Sequence, residues 1–256
     1  MTDFPTAITG YIPKNLCGQG GYGAVWRVCD GNSSICALKV VFKNPGSPAV
    51  WQREFSSLQT YQKTVPAHPN LLRIFHLEDR EEFFYYTMEC ADPLNKNGDY
   101  LSDTLENRIR KQGPLTGAQL EKILRGLIDG LNCLHQADLI HRDIKPENIL
   151  FVDGIPKLGD VGLVCSQKQA MEPTGTRWFV PPEFLSGETA TPPSELDFYA
   201  LGKTLYCAFS GREPDQFPLI SASLLRDPLN RKFNRLIKQL CHPNPRFRLK
   251  SVQNFM

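Results

Sequence analysis

His141-Arg142-Asp143-Ile144-Lys145-Pro146-Glu147-Asn148 sets a carboxylate, an ammonium and an amide side by side in one short segment. The segment follows a long apolar helical pattern and precedes Ile149-Leu150-Phe151-Val152, which reads as a strand. A carboxylate in such a loop can orient a hydroxyl and take its proton. An amide oxygen can ligate Mg²⁺, and an ammonium can offset negative charge on a phosphoryl group in flight. A solvated charged turn is the bland alternative, and a run of eight fitting residues is hard to obtain that way.

Upstream of the loop, Leu120, Ile123, Leu124, Leu127, Ile128, Leu131 and Leu134 recur at spacings of three and four and predict a long buried helix over 117–136. Downstream, apolar helices are predicted over Leu196–Phe209 and Asn230–Cys241. The first part of the chain differs in texture. Short β-branched and aromatic runs at Ala24–Val28, Ile35–Phe42, Leu71–Phe75 and Phe83–Met88 predict antiparallel strands. One helix interrupts them near Ala49–Gln62, with Val50, Trp51, Phe55, Leu58 and Tyr61 as its apolar positions, after Pro48 and before Pro66. The expectation is an α+β chain of two lobes, residues 1–91 rich in strands and 92–256 mainly helical, joined through the polar stretch Asp92–Asp103. No repeat or low-complexity tract is present.

Two further stretches bear on chemistry. Gly18-Gln19-Gly20-Gly21-Tyr22-Gly23-Ala24-Val25 is a glycine-rich turn between candidate strands, where backbone N–H groups can approach phosphate oxygens. By itself this pattern is more often an ordinary hairpin. It runs into a strand and not a helix, which disfavours a dinucleotide site. Lys39 lies mid-strand in Cys36-Ala37-Leu38-Lys39, and an ammonium on an inward face is costly without an anion. A solvated strand face explains the lysine equally well when the strand is taken alone. Its best partner is Glu54, the only acidic residue between Lys39 and Glu78. Asp160-Val161-Gly162 offers a second oxygen ligand for a metal that Asn148 would share, or else a plain turn aspartate.

Taken together and in this order, these motifs resemble those of the Hanks-type (eukaryotic-type) protein kinases over essentially the whole chain. The resemblance implies a bilobal kinase-like fold, an antiparallel sheet plus helix C above a mainly helical lobe. It also implies transfer of the γ-phosphoryl group of Mg·ATP to protein Ser or Thr hydroxyls, with Mn²⁺ as a possible substitute metal and with autophosphorylation. Carried over residue by residue, it makes Asp143, Lys145 and Asn148 catalytic, and Asn148 and Asp160 the metal ligands. Gly18, Gly20, Gly23, Val25, Ala37, Lys39, Glu54, Leu150 and Asp160 become nucleotide-contacting or supporting residues. Met88 falls at the gatekeeper position, and Glu89 and Ala91 at positions whose main chain meets adenine. Asp197, before Leu201-Gly202, is similar to the buried aspartate of the large lobe's central helix, and Arg246 resembles the arginine that pairs with the Glu183 position. Lys145 and Thr176 both fit the Ser/Thr branch.

The chain departs from the pattern at Val161, where the family usually carries phenylalanine, so a looser apolar column with Leu58 and His141 is expected. Arg142 stands where the family commonly engages a phosphorylated residue. Glu172 is a candidate stand-in for that phosphate, with Thr174 and Ser166 as alternative modified residues and a solvated Glu172 as the plainer reading. A pseudokinase scaffold and a small-molecule kinase are the competing functions. The retained Lys39, Glu54, Asp143, Asn148 and Asp160 weigh against the first, and Gly175-Thr176 through Glu183 against the second.

The bulk properties bound the remainder. A chain of 256 residues, 41% hydrophobic, can bury a sizeable core. A formal charge of +2 is too mild to imply a nucleic-acid partner. The eight cysteines form no C-x-x-C pair and read as reduced thiols. With no membrane span or signal peptide apparent, a cytoplasmic protein is expected, with ATP and a protein substrate as its partners.

Overall fold

The computed structural model describes residues 3–20, 23–44, 46, 48–95, 99–166, 175–186, 192–250 and 252. The first lobe is an antiparallel sheet of β1 (Tyr11–Gly20), β2 (Gly23–Asp30), β3 (Ile35–Phe42), β4 (Ile74–Asp79) and β5 (Phe83–Met88), in the order β1-β2-β3-β5-β4. Helix α1 (Pro48–Thr64) packs on one face. There Leu58 and Tyr61 share a core with Ala37, Val41, Phe84 and Tyr86. The other face buries Val28, Cys36, Leu38, Val40, Phe83 and Tyr85 against Ile8. Because both faces of β3 are covered, its sequence is nearly all apolar, and the period of two sets Lys39 on the α1 side with Ala37 and Val41.

Two details of this lobe differ from expectation. The fourth strand begins at Ile74 and not at Leu71. Leu71 instead forms a parallel bridge with Leu158, and Leu72 N–H donates to the Leu158 carbonyl at 3.0 Å. Both leucines are buried, so their apolar character reflects packing against a hairpin of the second lobe. Val50 is 39% exposed and lies off the buried stripe of α1.

The second lobe is built on α3 (Gly117–Gln136) and α5 (Pro193–Ser210), with α2 (Leu105–Gln112), the short α4 (Pro182–Ser186) and α6 (Pro228–Leu240) around them. All seven apolar positions predicted for α3 are buried. Thr116 and Gln119 close its N-terminus as a reciprocal capping box. Helix α5 is buried at every position from Glu195 to Phe209, which marks it as the centre of the lobe. Helix α2 escaped the sequence reading because only Leu105 is buried, so it carries no apolar period. A hairpin of β7 (Ile149–Val152) and β8 (Ile155–Leu158) turns on Asp153-Gly154, both at positive φ. Strand β6 (Leu139–Ile140) pairs with β9 (Cys165–Ser166).

The expected pairing of Arg246 with Glu183 is not found. Arg248 meets Glu183 instead, with its Nη1 on Oε1 and its Nη2 donating to Oε2 at 3.0 Å. Arg246 points to solvent, and its backbone N–H donates to Asn244 Oδ1. The two arginines lie two positions apart around a single 3₁₀ turn (Pro245–Phe247), so spacing alone does not tell which one faces inward. Arg248→Ala should cost about 3 kcal/mol by removing the buried guanidinium that holds the Glu183 carboxylate. Arg246→Ala should stay within about 0.5 kcal/mol of wild type. Urea unfolding of both variants checks this assignment.

Candidate active site

A cleft of about 370 Å³ opens between the lobes. Gly18, Val25, Ala37, Lys39, Met88, Glu89, Ala91, Asn148, Leu150 and Asp160 all line it, so most of the candidate nucleotide-contacting residues come together there. Gly20 and Gly23 pair with each other at the end of the β1–β2 ladder where the two strands join, and Glu54 reaches the cleft through Lys39. The glycines differ in what they accommodate. A Cβ on Gly23 would fall 1.9 Å from the Val40 carbonyl oxygen, so close strand approach alone requires glycine there. At Gly18 and Gly20 a Cβ would meet nothing within 4 Å, so packing does not explain them.

Lys39 Nζ lies 2.8 Å from Glu54 Oε1 and 3.2 Å from Asp160 Oδ1. Tyr86, its register partner on β5, presents its ring at 5.8 Å. Burial works to lower the Lys39 pKa, but Asp160, Tyr86 and Glu54 together raise it well above the ordinary value. Reciprocally, Lys39 holds the Asp160 carboxyl below its usual range against the opposing effect of burial. Asp160 takes a left-handed backbone, φ 48° and ψ 64°. The following turn tucks Gly162 against α1, where an added Cβ would come within 2.9 Å of Glu54 Cγ.

Asp143, almost fully buried, is held from three sides. Its Oδ1 accepts the Thr176 hydroxyl at 2.8 Å, and its Oδ2 accepts Asn148 Nδ2 at 2.8 Å and faces Lys145 Nζ at 2.9 Å. Lys145 also donates to Thr176 Oγ1 at 2.8 Å. Asn148 Nδ2 spends its second hydrogen on the Asp143 carbonyl, also at 2.8 Å, which leaves Oδ1 as the amide's outward group. His141 Nε2 lies 2.9 Å from the Gly159 carbonyl, so it carries the proton there, while Nδ1 accepts the Asp143 N–H at 3.4 Å. Loop and metal-ligand candidates are thereby linked through the backbone of 141 and 159.

Several supporting residues were not read from the sequence. His135 Nε2 lies 2.8 Å from Asp197 Oδ2. Tyr100 donates to the Ala91 carbonyl at 2.8 Å, and the Glu89 side chain meets Lys157 and the Arg73 N–H, so residue types around 89–91 do matter. Cys17, Cys90 and Glu106 also line the cleft. The contacts of His135, Tyr100 and Glu89 depend on partners distant in sequence, which no local motif encodes. Arg142 takes φ 70° and its Nη1 lies 3.3 Å from Cys165 Sγ. Glu172 and Thr174 fall outside the described residues, while Ser166 ends β9.

Val161 is 1% exposed in the same core as Leu58 and Leu72. Val161→Phe should therefore overpack, costing about 1–3 kcal/mol, with a fall in turnover. Thermal unfolding and kinetics on the same preparation test it. The electrostatics make a second expectation. Because the folded Asp160 pKa lies below its reference of 3.8, its contribution is present above that value and is lost as pH falls through the folded value. In Lys39→Met the fall in stability below about pH 4 should shrink or reverse, as read by urea unfolding across that range.

Comparison with known proteins agrees with this geometry. The protein kinase domain family matches residues 11–255. The cell division control protein 2 homolog 3 of Trypanosoma brucei brucei is 31% identical over 75% of this chain and 60% of its own length. The serine/threonine-protein kinase pelle of Drosophila melanogaster is 30% identical over 82% of this chain and 44% of its own. The serine/threonine-protein kinase B of Synechocystis is 25% identical over 96% and 45%. The chain thus spans less than two thirds of the length of these relatives. A sheet-and-helix lobe over a helical lobe, the ordered Lys39, Asp143, Asn148 and Asp160 in one cleft, and a family match across nearly the whole chain make this a protein kinase catalytic domain of the Hanks type.

Proposed function

We propose that this chain transfers the γ-phosphoryl group of ATP to Ser or Thr hydroxyls of proteins, with Mg²⁺ as the working metal and Mn²⁺ as a substitute, and that it can phosphorylate itself. The observation that carries the reading is the network in which Thr176, Lys145 and Asn148 converge on Asp143 at 2.8–2.9 Å. The Thr176 hydroxyl already occupies the kind of contact that an acceptor hydroxyl needs, which supports Asp143 as the group that orients the acceptor and takes its proton. Lys145 offsets charge on the transferred group, and Lys39, held by Glu54, meets the α- and β-phosphates.

The donor set fits a hard divalent ion. Among the described residues no group of three His, Cys, Asp or Glu side chains could hold a metal alone. Mg²⁺ commonly takes one or two protein oxygens and completes its shell with phosphate and water, and the outward Asn148 Oδ1 with the Asp160 carboxylate supplies that pair. When bound, the ion neutralises phosphate charge. The open space around Gly18 and Gly20 supports a backbone approach to phosphates, and the proposed line between lobes at residues 91 and 92 falls in the segment after β5 (Phe83–Met88). Among the described residues, no helix is long and apolar enough to cross a membrane. A cytoplasmic location and the absence of a nucleic-acid partner remain part of this proposal.

The pairing of Lys39 with Glu54 and Asp160 and the contacts made by Asp143 favour turnover over a scaffold role. Labelled phosphate transfer from ATP to a generic protein substrate tests the reading. Asp143→Ala should lower kcat by about 10²–10⁴-fold. Transfer undiminished in that variant would overturn the mechanism.

A further inference from the structure

We propose that Arg177 selects substrates that carry an anionic side chain within two residues of the acceptor hydroxyl. This deepens the kinase reading above and rests on it. Thr176 touches both Asp143 and Lys145, so the residue that follows it stands beside the place of reaction. That stretch is held firmly on both sides. At Gly175, with φ 115°, a Cβ would fall 2.7 Å from the Arg142 carbonyl oxygen. Phe179 and Val180 are buried, and the Phe179 N–H closes a turn on the Thr176 carbonyl at 2.8 Å. Between these anchors Arg177 and Trp178 are exposed, Trp178 by 48%.

Single exposed apolar side chains are ordinary on a surface, so what distinguishes Trp178 is its neighbour. Here its ring lies 5.1 Å from the Arg177 guanidinium, which strips water from one face of the cation and restricts its rotamers. Three other surface arginines are paired with acids, Arg80 with Glu78, Arg110 with Glu106 and Arg125 with Glu121. Among the described residues no carboxylate pairs with Arg177, and its planar donors suit a carboxylate or phosphate. Lys145 adds a second positive charge nearby. Glu106, paired with Arg110, and Glu147 line the cleft itself, and Arg177 is not among its lining residues. A substrate segment that passes Thr176 therefore meets the positive charges of Arg177 and Lys145, which attract acid.

The test uses the full chain and peptides with one serine, in which Glu, Gln, Lys or phosphoserine is placed at each of the two positions before and after it. Glu should exceed Gln in kcat/KM by about five- to tenfold at one position. In Arg177→Gln that ratio should fall to about one, in Arg177→Lys part of it should remain, and in Arg177→Glu the preference should turn to Lys. Enhancement by Glu and phosphoserine alike indicates a general anion site, and enhancement by phosphoserine alone indicates a previously phosphorylated substrate; both support the proposal. A Glu-to-Gln ratio near one in the wild-type protein, or a ratio that survives in Arg177→Gln, overturns it. If the wild type phosphorylates no peptide and no protein, the kinase reading falls and takes this inference with it. Peptide phosphorylation without any acid preference removes this inference alone.

Discussion

Asp197 is fully excluded from water on the central helix, and the rest of the site hangs from its carboxylate. Oδ2 accepts the His141 N–H at 2.9 Å, and Oδ1 accepts the Arg142 N–H at 2.8 Å. Burial alone would raise its pKa, but the hydrogen bond and charge of His135 and the backbone donors outweigh that effect and hold it low. A charge so deeply placed is tolerable only when every lone pair is used. The result is a clamp of side chain on backbone. It permits the left-handed Arg142 conformation and turns the chain so that Asp143, Lys145 and Asn148 reach one point.

The two lobes meet through a few specific contacts. Gly126 and Gly130, one turn apart on α3, leave room for Asn70, whose Nδ2 donates to the Pro156 carbonyl at 2.9 Å. The Leu158 N–H in turn donates to the Asn70 carbonyl at 2.9 Å. The Asp92 carboxylate caps the β7–β8 turn by accepting the N–H groups of Asp153 and Gly154. This ties the segment between lobes to the hairpin that carries Leu150 and leads to Asp160. The paired Lys39, Glu54 and Asp160 then set the position of α1 against the cleft.

Periodic segments were legible from the chain alone. The long α3, the apolar α5, the strands of β2, β3 and β5 and the single helix between strands follow from burial on fixed faces, and burial writes itself as spacing. The segment at Leu71–Leu72 was misread for a physical reason: apolar residues look alike whether they face a sheet or another lobe. Helix α2 was missed because it buries almost nothing. The Asp153-Gly154 turn was a local signal that a search for hairpins between two apolar runs would have found.

The sequence by itself determined the order and chemical identity of the groups in the cleft, because a loop such as His141–Asn148 keeps its reactive side chains within a few residues of one another. Tertiary structure decided which distant groups complete them. Arg248 and not Arg246 faces Glu183, His135 supports Asp197, Tyr86 lies over Lys39, and Thr176 returns to Asp143 from 33 residues away. Such pairings depend on which side of a turn points inward and which elements pack together. Spacing along a chain does not encode either one; only the folded arrangement of surfaces does.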